Sequence, residues 1–423
     1  MKTEVFWTDD FSPEIIPGEN SELPAEVDVA IVGSGYTGLN CARVLVKAGM
    51  SVAVMDQHAI GWGASSRNGG MATPGLKQDI FKIKKMYGMD YAREFWQSSM
   101  DAINLLEQII VEENIDCNWE RNGHCSLAYK QSHFDELPDY NQWLKDEFGH
   151  EKKLVPKEEL KIEIGTDSYF GGNSDESSGG LQPAKYVHGL ALAVEKYGAD
   201  LCPYTRVENI HGAKGNFELI TCKGSLKAKE VVIATNGYTD TMVPKMQPKI
   251  FPVGSYIIAS EPLSQELQDK LSPKKRMFYD SKNFLNYFRL TPDGRILWGG
   301  RNDLSTNLDL MESATILKKQ VQTVFPELNE VEFTHSWTGK LGITFDLMPH
   351  IGEVNGIRYA FGYGGHGLSI ATYLGTEMGQ LITGEKQRSA YEEIAHQTMF
   401  FYRKNPWFLP FAAKWYRFLD WIS

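Results

Sequence analysis

The first clear pattern in the chain is an apolar run followed directly by a helical periodicity. Residues 27–33 read VDVAIVG, a β-branched run typical of a strand that is buried on both faces. The next apolar residues recur at the spacing of a helix face: Leu39, Ala42, Leu45 and Val46. Gly49 ends that helix, and Ser51–Asp56 has the pattern of a second strand. The pattern predicts a strand–helix–strand unit that ends on an acidic residue.

Three glycines, Gly33, Gly35 and Gly38, lie between the first strand and the helix. Gly33 permits a tight turn, Gly35 lets a pyrophosphate approach the helix N-terminus, and Gly38 lets the helix pack close to the strand. Asp56 stands where a carboxylate would accept hydrogen bonds from an adenosine ribose. The unit predicts a bound dinucleotide, NAD or FAD rather than NADP. The alternative is a glycine-rich turn without a ligand.

Later patterns predict one long helix, several strands and a C-terminal helix. Tyr91–Ile115 has helical periodicity without proline, Phe251–Leu263 is a β-branched run, and Phe284–Leu290 alternates between two faces. The stretch Asn405–Ile422 predicts an amphipathic helix with aromatic or apolar residues on one face: Phe411, Trp415, Phe418 and Ile422. We favour packing of this helix on the protein body over docking to a membrane surface.

Composition narrows the class of protein. The chain has 423 residues and a formal net charge of −11 without a long basic block, which argues against a nucleic-acid partner and weakly favours a cationic substrate. Its five cysteines are scattered, so we expect neither a disulfide framework nor a metal site. The acidic first residues lack an apolar core, and no long apolar run follows. We therefore expect no signal peptide, no spanning helix and a cytoplasmic location.

The segment after the second strand, Gly61–Gly75, is a loop of small residues with the sequence GWGASSRNGGMATPG. It resembles the loop that runs beside the FAD pyrophosphate in D-amino-acid-oxidase-like flavoproteins, and within them it is most similar to the γ-glutamylputrescine oxidase group. The resemblance continues in the same order over nearly the whole chain: residues 179–201, 205–210, 230–240, 286–301, 337–354 and 359–384.

This resemblance implies a mixed α/β (α+β) fold. A Rossmann-like FAD-binding domain would be interleaved with a substrate domain built on an antiparallel sheet, as in glycine and sarcosine oxidases. The expected boundaries are 25–75, 155–240 and 335–390 for the FAD-binding domain, 76–154 and 241–334 for the substrate domain, and 391–423 for an amphipathic helical tail.

The resemblance also implies which residues hold the FAD. They come from the glycine turn, the following loop, the strand and turn that return to the FAD-binding domain, and the C-terminal segment: Gly33, Ser34, Gly35, Tyr36, Thr37, Gly38, Asp56, Gln57, Gly63, Ala64, Ser65, Arg67, Asn68, Gly69, Gly70, Met71, Val207, Ala234, Thr235, Asn236, Gly339, Gly365, His366, Gly367 and Leu368. Sarcosine oxidases bind flavin through a cysteine near the C-terminal segment. This chain has no cysteine after Cys222, so the FAD is expected to be non-covalent.

Three residues are candidates for catalysis. By resemblance, Lys340 supplies a cation near flavin N1, with a solvated surface lysine as the alternative. His366 is expected near the flavin, as a structural histidine rather than a proton-transfer group. Arg289 either holds a substrate carboxylate or forms a salt bridge on the face of the sheet. We expect Arg67 to fix its own loop rather than to contact substrate.

The sequence predicts an FAD-dependent amine oxidoreductase. A hydride from a γ-glutamylputrescine-like or other primary or secondary amine passes to flavin N5, the imine is hydrolysed to an aldehyde or keto product, and O2 is reduced to H2O2. Three aromatic residues either shape the amine pocket or belong to the core: Tyr256, Tyr287 and Trp298.

Alternatives to this function remain open at the level of the sequence. One is a glycine, sarcosine or D-amino-acid oxidase, or a dehydrogenase that uses another electron acceptor. The others are a flavin-binding protein without turnover and an NAD dehydrogenase.

Overall fold

The computed structural model describes residues 1–300 and 304–422. Within them the strands, in chain order, are β1 (Glu26–Val32), β2 (Val52–Met55), β3 (Met71–Ala72), β4 (His124–Leu127), β5 (Lys153–Pro156), β6 (Gly171–Asp175), β7 (Gly179–Gly180), β8 (Asp200–Cys202), β9 (Val207–Ala213), β10 (Asn216–Thr221), β11 (Gly224–Ile233), β12 (Phe251–Ser260), β13 (Met277–Asp280), β14 (Tyr287–Leu290), β15 (Ile296–Gly300), β16 (Phe333–Ile343), β17 (His350–Val354) and β18 (Ile357–Phe361).

The α-helices in the same residues connect and cover these strands. They are α1 (Phe6–Asp9), α2 (Tyr36–Lys47), α3 (Ile80–Tyr87), α4 (Met89–Glu112), α5 (Gln131–Asp135), α6 (Leu137–Phe148), α7 (Pro183–Lys196), α8 (Gln265–Leu271), α9 (Leu310–Val324), α10 (Gly367–Thr383), α11 (Ala390–Glu393) and α12 (Leu409–Ile422).

The first sheet is built around β1, whose apolar residues pack on both faces. β1 pairs in parallel with β2 and β11, and the strand order is β17-β18-β11-β1-β2-β8. β9 and β10 add an antiparallel extension along β11. Val29, Ala30 and Ile31 of β1 are fully buried. The strand–helix–strand unit predicted from the first hydrophobic pattern is therefore confirmed as β1, α2 and β2.

Helices α2, α4, α7 and α10 contribute to a shared core on one face of this sheet. α2 and α10 approach each other closely because glycines stand at their contact. A Cβ at Gly375 would overlap the backbone of Thr37, and a Cβ at Gly379 would lie 2.6 Å from Val44 Cβ. This close contact positions the N-terminus of α10 near the turn that precedes α2.

The second sheet has the order β16-β12-β15-β14-β13-β4-β6-β5 and is antiparallel except for the β4–β13 pair. Helix α9 covers it, and Leu317 and Val321 share its core with Trp298. The mixed α/β fold class is thus confirmed. β6 lies within the range 155–240 expected for the FAD-binding domain, and β5 and β16 each overlap one of that domain's expected ranges. All three strands nevertheless pair in this second sheet. The domain boundaries themselves stay a prediction.

The C-terminal helix α12 packs on the protein body. Leu409 and Ala413 are buried in a core that includes residues of β12 and β16. The aromatic residues of the predicted face are instead exposed: Phe411, Trp415 and Phe418. Across residues 1–300 and 304–422, every helix is too short or too polar to cross a membrane. Arg301 and Ser423, which end two of the predicted segments, lie outside the described residues.

Candidate active site

The turn between β1 and α2 has no room for side chains. Gly33 has a φ of +107°, and a Cβ added there would lie 2.8 Å from the Ala234 carbonyl oxygen. A Cβ at Gly38 would overlap the Gly33 carbonyl oxygen, and one at Gly35 would lie 2.8 Å from Ser65 Oγ. The turn is therefore a cradle of backbone at the N-terminus of α2, where N–H groups and the helix dipole favour an anion.

Asp56, the residue after β2, holds this turn in place. Its Oδ2 accepts hydrogen bonds from Ser34 N at 3.0 Å and from Ser34 Oγ at 2.7 Å, and its Oδ1 accepts one from His58 N at 3.0 Å. A carboxylate has about four acceptor positions, so Asp56 could also accept a hydrogen bond from a ribose hydroxyl. Its side chain lines the same cavity as the glycine turn.

The loop over residues 61–75 is fixed by hydrogen bonds to the start of α2 and to β16. Ser65 Oγ accepts a hydrogen bond from Tyr36 N at 3.0 Å, which ties the loop to the start of α2. Arg67 Nε donates to Trp62 O at 2.8 Å, and its Nη1 donates to Thr338 O at 3.3 Å. The Arg67 guanidinium therefore holds its own loop against β16.

These segments line a cavity of about 550 Å³ whose wall comes from both sheets and from the start of α10. Most of the residues predicted to hold FAD lie in this wall: Gly33, Ser34, Gly35, Tyr36, Thr37, Asp56, Gln57, Gly63, Ala64, Ser65, Arg67, Asn68, Gly69, Met71, Val207, Ala234, Thr235, Asn236, Gly339, Gly365, His366, Gly367 and Leu368. Gly38 and Gly70 lie behind the wall, where they allow close backbone packing instead.

Arg289, for which the sequence left a substrate carboxylate and a salt bridge on the sheet open, is also absent from the cavity wall. Its Nη1 donates to Gly70 O at 2.6 Å, and its guanidinium lies 5.8 Å from the ring centroid of Trp7. Burial lowers the pKa of Arg289 to about 10. The structure thus places Arg289 as a support of the loop that ends at Gly75, because its donor is directed at that loop's backbone rather than at the cavity.

Lys340 and His366 both line the cavity. Lys340 lies on β16 opposite Gly254, and its Nζ is 5.4 Å from the ring centroid of Tyr238. His366 is the N-cap residue of α10, and its backbone N–H donates to Tyr363 O at 2.9 Å. A cation and a helix N-terminus thus face one cavity, an arrangement that favours negative charge on a bound group.

Of the three aromatic residues considered for the amine pocket, only Tyr287 lines the cavity. Its hydroxyl lies 3.0 Å from Ser255 Oγ. Tyr256 is fully buried and donates to Ser305 O at 2.8 Å, while Trp298 is fully buried and stacks on Phe288. Tyr256 and Trp298 therefore belong to the core of the second sheet.

The sequence analysis missed a group of cavity-lining residues that come from distant segments: Lys77, Gln78, Asp79, Trp96, Tyr140, Lys152 and Tyr279. Asp79 carries a local signal, because its Oδ1 caps α3 by accepting from Phe81 N at 3.0 Å. No motif marks the others. They meet only because α4, α6 and the far strands of the second sheet fold over the same cavity.

Comparison with known proteins identifies the class to which this site belongs. The model of the FAD-dependent oxidoreductase (DAO) family matches residues 28–381. The chain belongs to this family, and the protein is an FAD-dependent oxidoreductase. This finding confirms the predicted cofactor and family and shows that the NAD dehydrogenase alternative is wrong.

Individual relatives cover most of the chain. It is 33% identical over 368 residues to a probable oxidoreductase OrdL of Haemophilus influenzae, which covers 85% of this chain and 84% of the relative. It is 31% identical over 377 residues to the γ-glutamylputrescine oxidoreductase of Escherichia coli, with 87% of each chain covered. These matches confirm the resemblance on which the sequence prediction relied.

Solved structures show the same fold at lower sequence identity. Glycine oxidase from Geobacillus kaustophilus aligns with a TM-score of 0.74 at 20% identity and covers 89% of this chain and 99% of the other. L-Proline dehydrogenase from P. horikoshii aligns with a TM-score of 0.70 at 22% identity and covers 86% and 95%.

The residues present fit an FAD molecule. The backbone turn at Gly33 and Gly35 lines the cavity at the N-terminus of α2, where exposed N–H groups suit a diphosphate. The same wall includes Asp56, Lys340 and the start of α10, so groups suited to a ribose, to negative charge and to a ring system line one cavity. All five cysteines are free, and none of them lines the cavity.

Proposed function

We propose that the protein is an amine oxidase that acts on a γ-glutamylputrescine-like substrate or another primary or secondary amine. The similarity to γ-glutamylputrescine oxidoreductase over 87% of both chains carries this proposal. The amine loses a hydride and a proton to become an imine, water hydrolyses the imine to an aldehyde or keto product, and O2 takes up two electrons and two protons to give H2O2.

FAD would be held non-covalently by the cavity-lining residues of the first sheet and of the loop over residues 61–75. The amides at the start of α2 would bind the diphosphate, and Asp56 would accept from the adenosine ribose. The position of the five cysteines supports non-covalent binding, since none of them reaches the cavity. When bound, FAD supplies the acceptor for the hydride.

The chain's own residues would orient the amine and stabilise the charge that develops during transfer. Lys340 and the N-terminus of α10 would stabilise negative charge near the flavin pyrimidine. His366 would serve a structural role as the residue that begins α10. Tyr287 and Ile257, which face the cavity from the second sheet, would shape the space for the amine.

Anaerobic mixing with a panel of amines tests the proposal. The panel contains γ-glutamylputrescine, putrescine, glycine, sarcosine, D-alanine and L-proline, and flavin absorbance near ~450 nm is followed. We expect γ-glutamylputrescine to bleach the flavin fastest and aerobic turnover to release one H2O2 per aldehyde. Faster bleaching by glycine, sarcosine or a D-amino acid would replace the proposed substrate. Bleaching without H2O2 would indicate a dehydrogenase, and no bleaching by any amine would contradict the proposal.

A further inference from the structure

A buried polar cluster lies in the second sheet at the wall of the cavity. We call it the Lys152 cluster and define it as Lys152, Asp175, His150, His124 and Tyr279. Lys152 immediately precedes β5, Asp175 ends β6, His124 begins β4 and Tyr279 lies on β13. Lys152 and Tyr279 line the cavity, whereas Asp175 lies behind them with a side chain that is 1% exposed. The cluster therefore presents a cation, not an anion, to the cavity.

The short hydrogen bonds of Asp175 come from His150 and Ser177 rather than from Lys152. Asp175 Oδ2 accepts from His150 Nε2 at 2.7 Å, and its Oδ1 accepts from Ser177 N at 3.0 Å and from Ser177 Oγ. Lys152 Nζ lies 3.6 Å from Asp175 Oδ2, which is ion-pair distance rather than a close hydrogen bond. An ammonium has three N–H donors, so Lys152 retains donor capacity for a group in the cavity.

Because Lys152 is buried, an N–H donor without an acceptor would destabilise the protein. The Lys152 side chain is 9% exposed, and burial lowers its pKa while the adjacent Asp175 carboxylate opposes that shift. Burial alone would raise the pKa of Asp175, but the hydrogen bond from His150 and the nearby cations hold it well below its usual range. A buried ammonium is stabilised when its donors find acceptors, and a carboxylate is the acceptor that adds most.

The position of Lys152 in the sheet separates it from the proposed flavin end of the cavity. β16, which carries Lys340, and β5, which follows Lys152, are the two edge strands of the eight-stranded sheet. Tyr287 on β14 and Tyr279 on β13 lie between them in the strand order and line the same cavity. Lys152 and Lys340 therefore stand at opposite edges of the sheet, and Lys152 is not part of the segments expected to hold the flavin.

We propose that Lys152 binds a carboxylate of the substrate, at the end of the molecule remote from the amine that is oxidised. The substrate class is then an amine with a distal carboxylate. This inference rests on the proposed amine oxidation and narrows it. Arg289, which the sequence left open as a carboxylate ligand or as a salt-bridge residue on the sheet, donates to Gly70 O.

Two amines of equal length test this specificity. N-(4-aminobutyl)glutaramate carries the distal carboxylate, and its terminal amide replaces that carboxylate by a neutral group. For the wild-type protein we expect kcat/KM to be about 10- to 100-fold higher for the carboxylate, mainly through KM, as hydrogen bonds to charged groups predict. Lys152→Met should lose this preference, because its kcat/KM for the carboxylate should fall to about that for the amide.

Lys153→Met is the matched control, because Lys153 is the adjacent residue and is exposed. It should retain the wild-type preference. Equal kcat/KM values for the two amines in the wild-type protein would overturn the inference, and this test needs no variant. A fall in kcat for both amines in Lys152→Met would also overturn it, because that result describes a group that acts on the amine itself. If Lys152→Met does not fold, Lys152→Gln gives the same comparison.

A binding measurement separates this inference from the proposed function. Glutaramate, which has the carboxylate but no amine, should raise the thermal unfolding midpoint of the FAD-bound wild-type protein and of Lys153→Met, but not that of Lys152→Met. If this pattern holds while no amine bleaches the flavin, the carboxylate site stands and the amine oxidation fails. If amines bleach the flavin while glutaramate has no effect and the two amines react alike, the carboxylate site fails and the amine oxidation stands.

Discussion

The two ends of the cavity are built in different ways. At the glycine turn the wall is backbone, and an added Cβ at Gly33 or Gly38 would meet another part of the backbone. At the Lys152 cluster the wall is made of the side chains of Lys152 and Tyr279, with the buried His124 and Asp175 behind them. A wall of backbone leaves little freedom for substitution and suits one class of cofactor. A wall of side chains changes with single substitutions, so we place substrate selection there.

The largest expected effect comes from Gly38→Ala. The new Cβ would overlap the Gly33 carbonyl oxygen, and neither backbone segment can move without separating α2 from β1. We expect loss of FAD, measured as the ratio of absorbance near ~450 nm to that at ~280 nm after purification. Gly49→Ala is the control, because its Cβ would meet open space at a φ of +82°. It should cost about 1 kcal/mol of stability and retain FAD. Wild-type FAD content in Gly38→Ala would contradict a backbone-built site.

The next effect is expected from Asp56→Asn. The new side chain has one oxygen and an NH2 group, so it cannot accept hydrogen bonds from both Ser34 and His58. The turn loses a hydrogen bond, and the ribose loses its charged acceptor. The loss of one charged hydrogen bond of about 2.7 kcal/mol raises the dissociation constant of FAD about 100-fold. Flavin fluorescence titration of the apoprotein measures it. Asp28→Asn removes a carboxylate that bonds Ser51 at the other end of the same strand pair and should leave FAD affinity unchanged.

At the Lys152 cluster, we expect His124 to make the free energy of unfolding depend on pH. Burial, with Lys152 nearby, lowers the pKa of His124 to about 3. The unfolded chain binds a proton at this histidine below about pH 6.5 whereas the folded protein does not, so stability is present above that pH and falls as the pH drops towards 3. At pH 5 the loss is about 2 kcal/mol.

His124→Gln should remove this part of the pH dependence. Urea unfolding at pH 7 and pH 5 measures the difference in the free energy of unfolding. His211→Gln at an exposed position of β9 serves as the control and should keep the wild-type difference. An unchanged pH dependence in His124→Gln would show that His124 does not link stability to pH.

The smallest effect is expected at Lys340, whose positive charge would stabilise the reduced flavin. Replacement of one charge at about 6 Å in a partly solvated site changes the energy of a reduced flavin by about 1.4 kcal/mol. Lys340→Met should therefore lower the flavin midpoint potential by about 30 mV and the rate of reduction by an amine about tenfold. Lys340→Arg, which keeps the charge, should resemble the wild-type protein. A midpoint potential unchanged in Lys340→Met would place the lysine away from the flavin.

The same contrast explains what could be predicted from the sequence. The glycine turn and Asp56 lie within one short unit, and the spacing of hydrophobic residues is enough to predict β1, α2 and β2. The position of Arg289 could not be derived in this way, because alternation along a strand does not show which face covers a cavity. Lys152 and Tyr279 lie far apart in sequence and have no motif, so only the pairing of β5, β6, β4 and β13 brings them together.

A crystal structure of the FAD-bound protein tests the central claim most directly. We expect diphosphate oxygens about 3 Å from backbone nitrogens at the start of α2, ribose hydroxyls on Asp56, and the flavin ring against residues 365–367 beneath Tyr287. A diphosphate bound away from the Gly33–Gly38 turn, or a flavin ring remote from Lys340, would contradict the account.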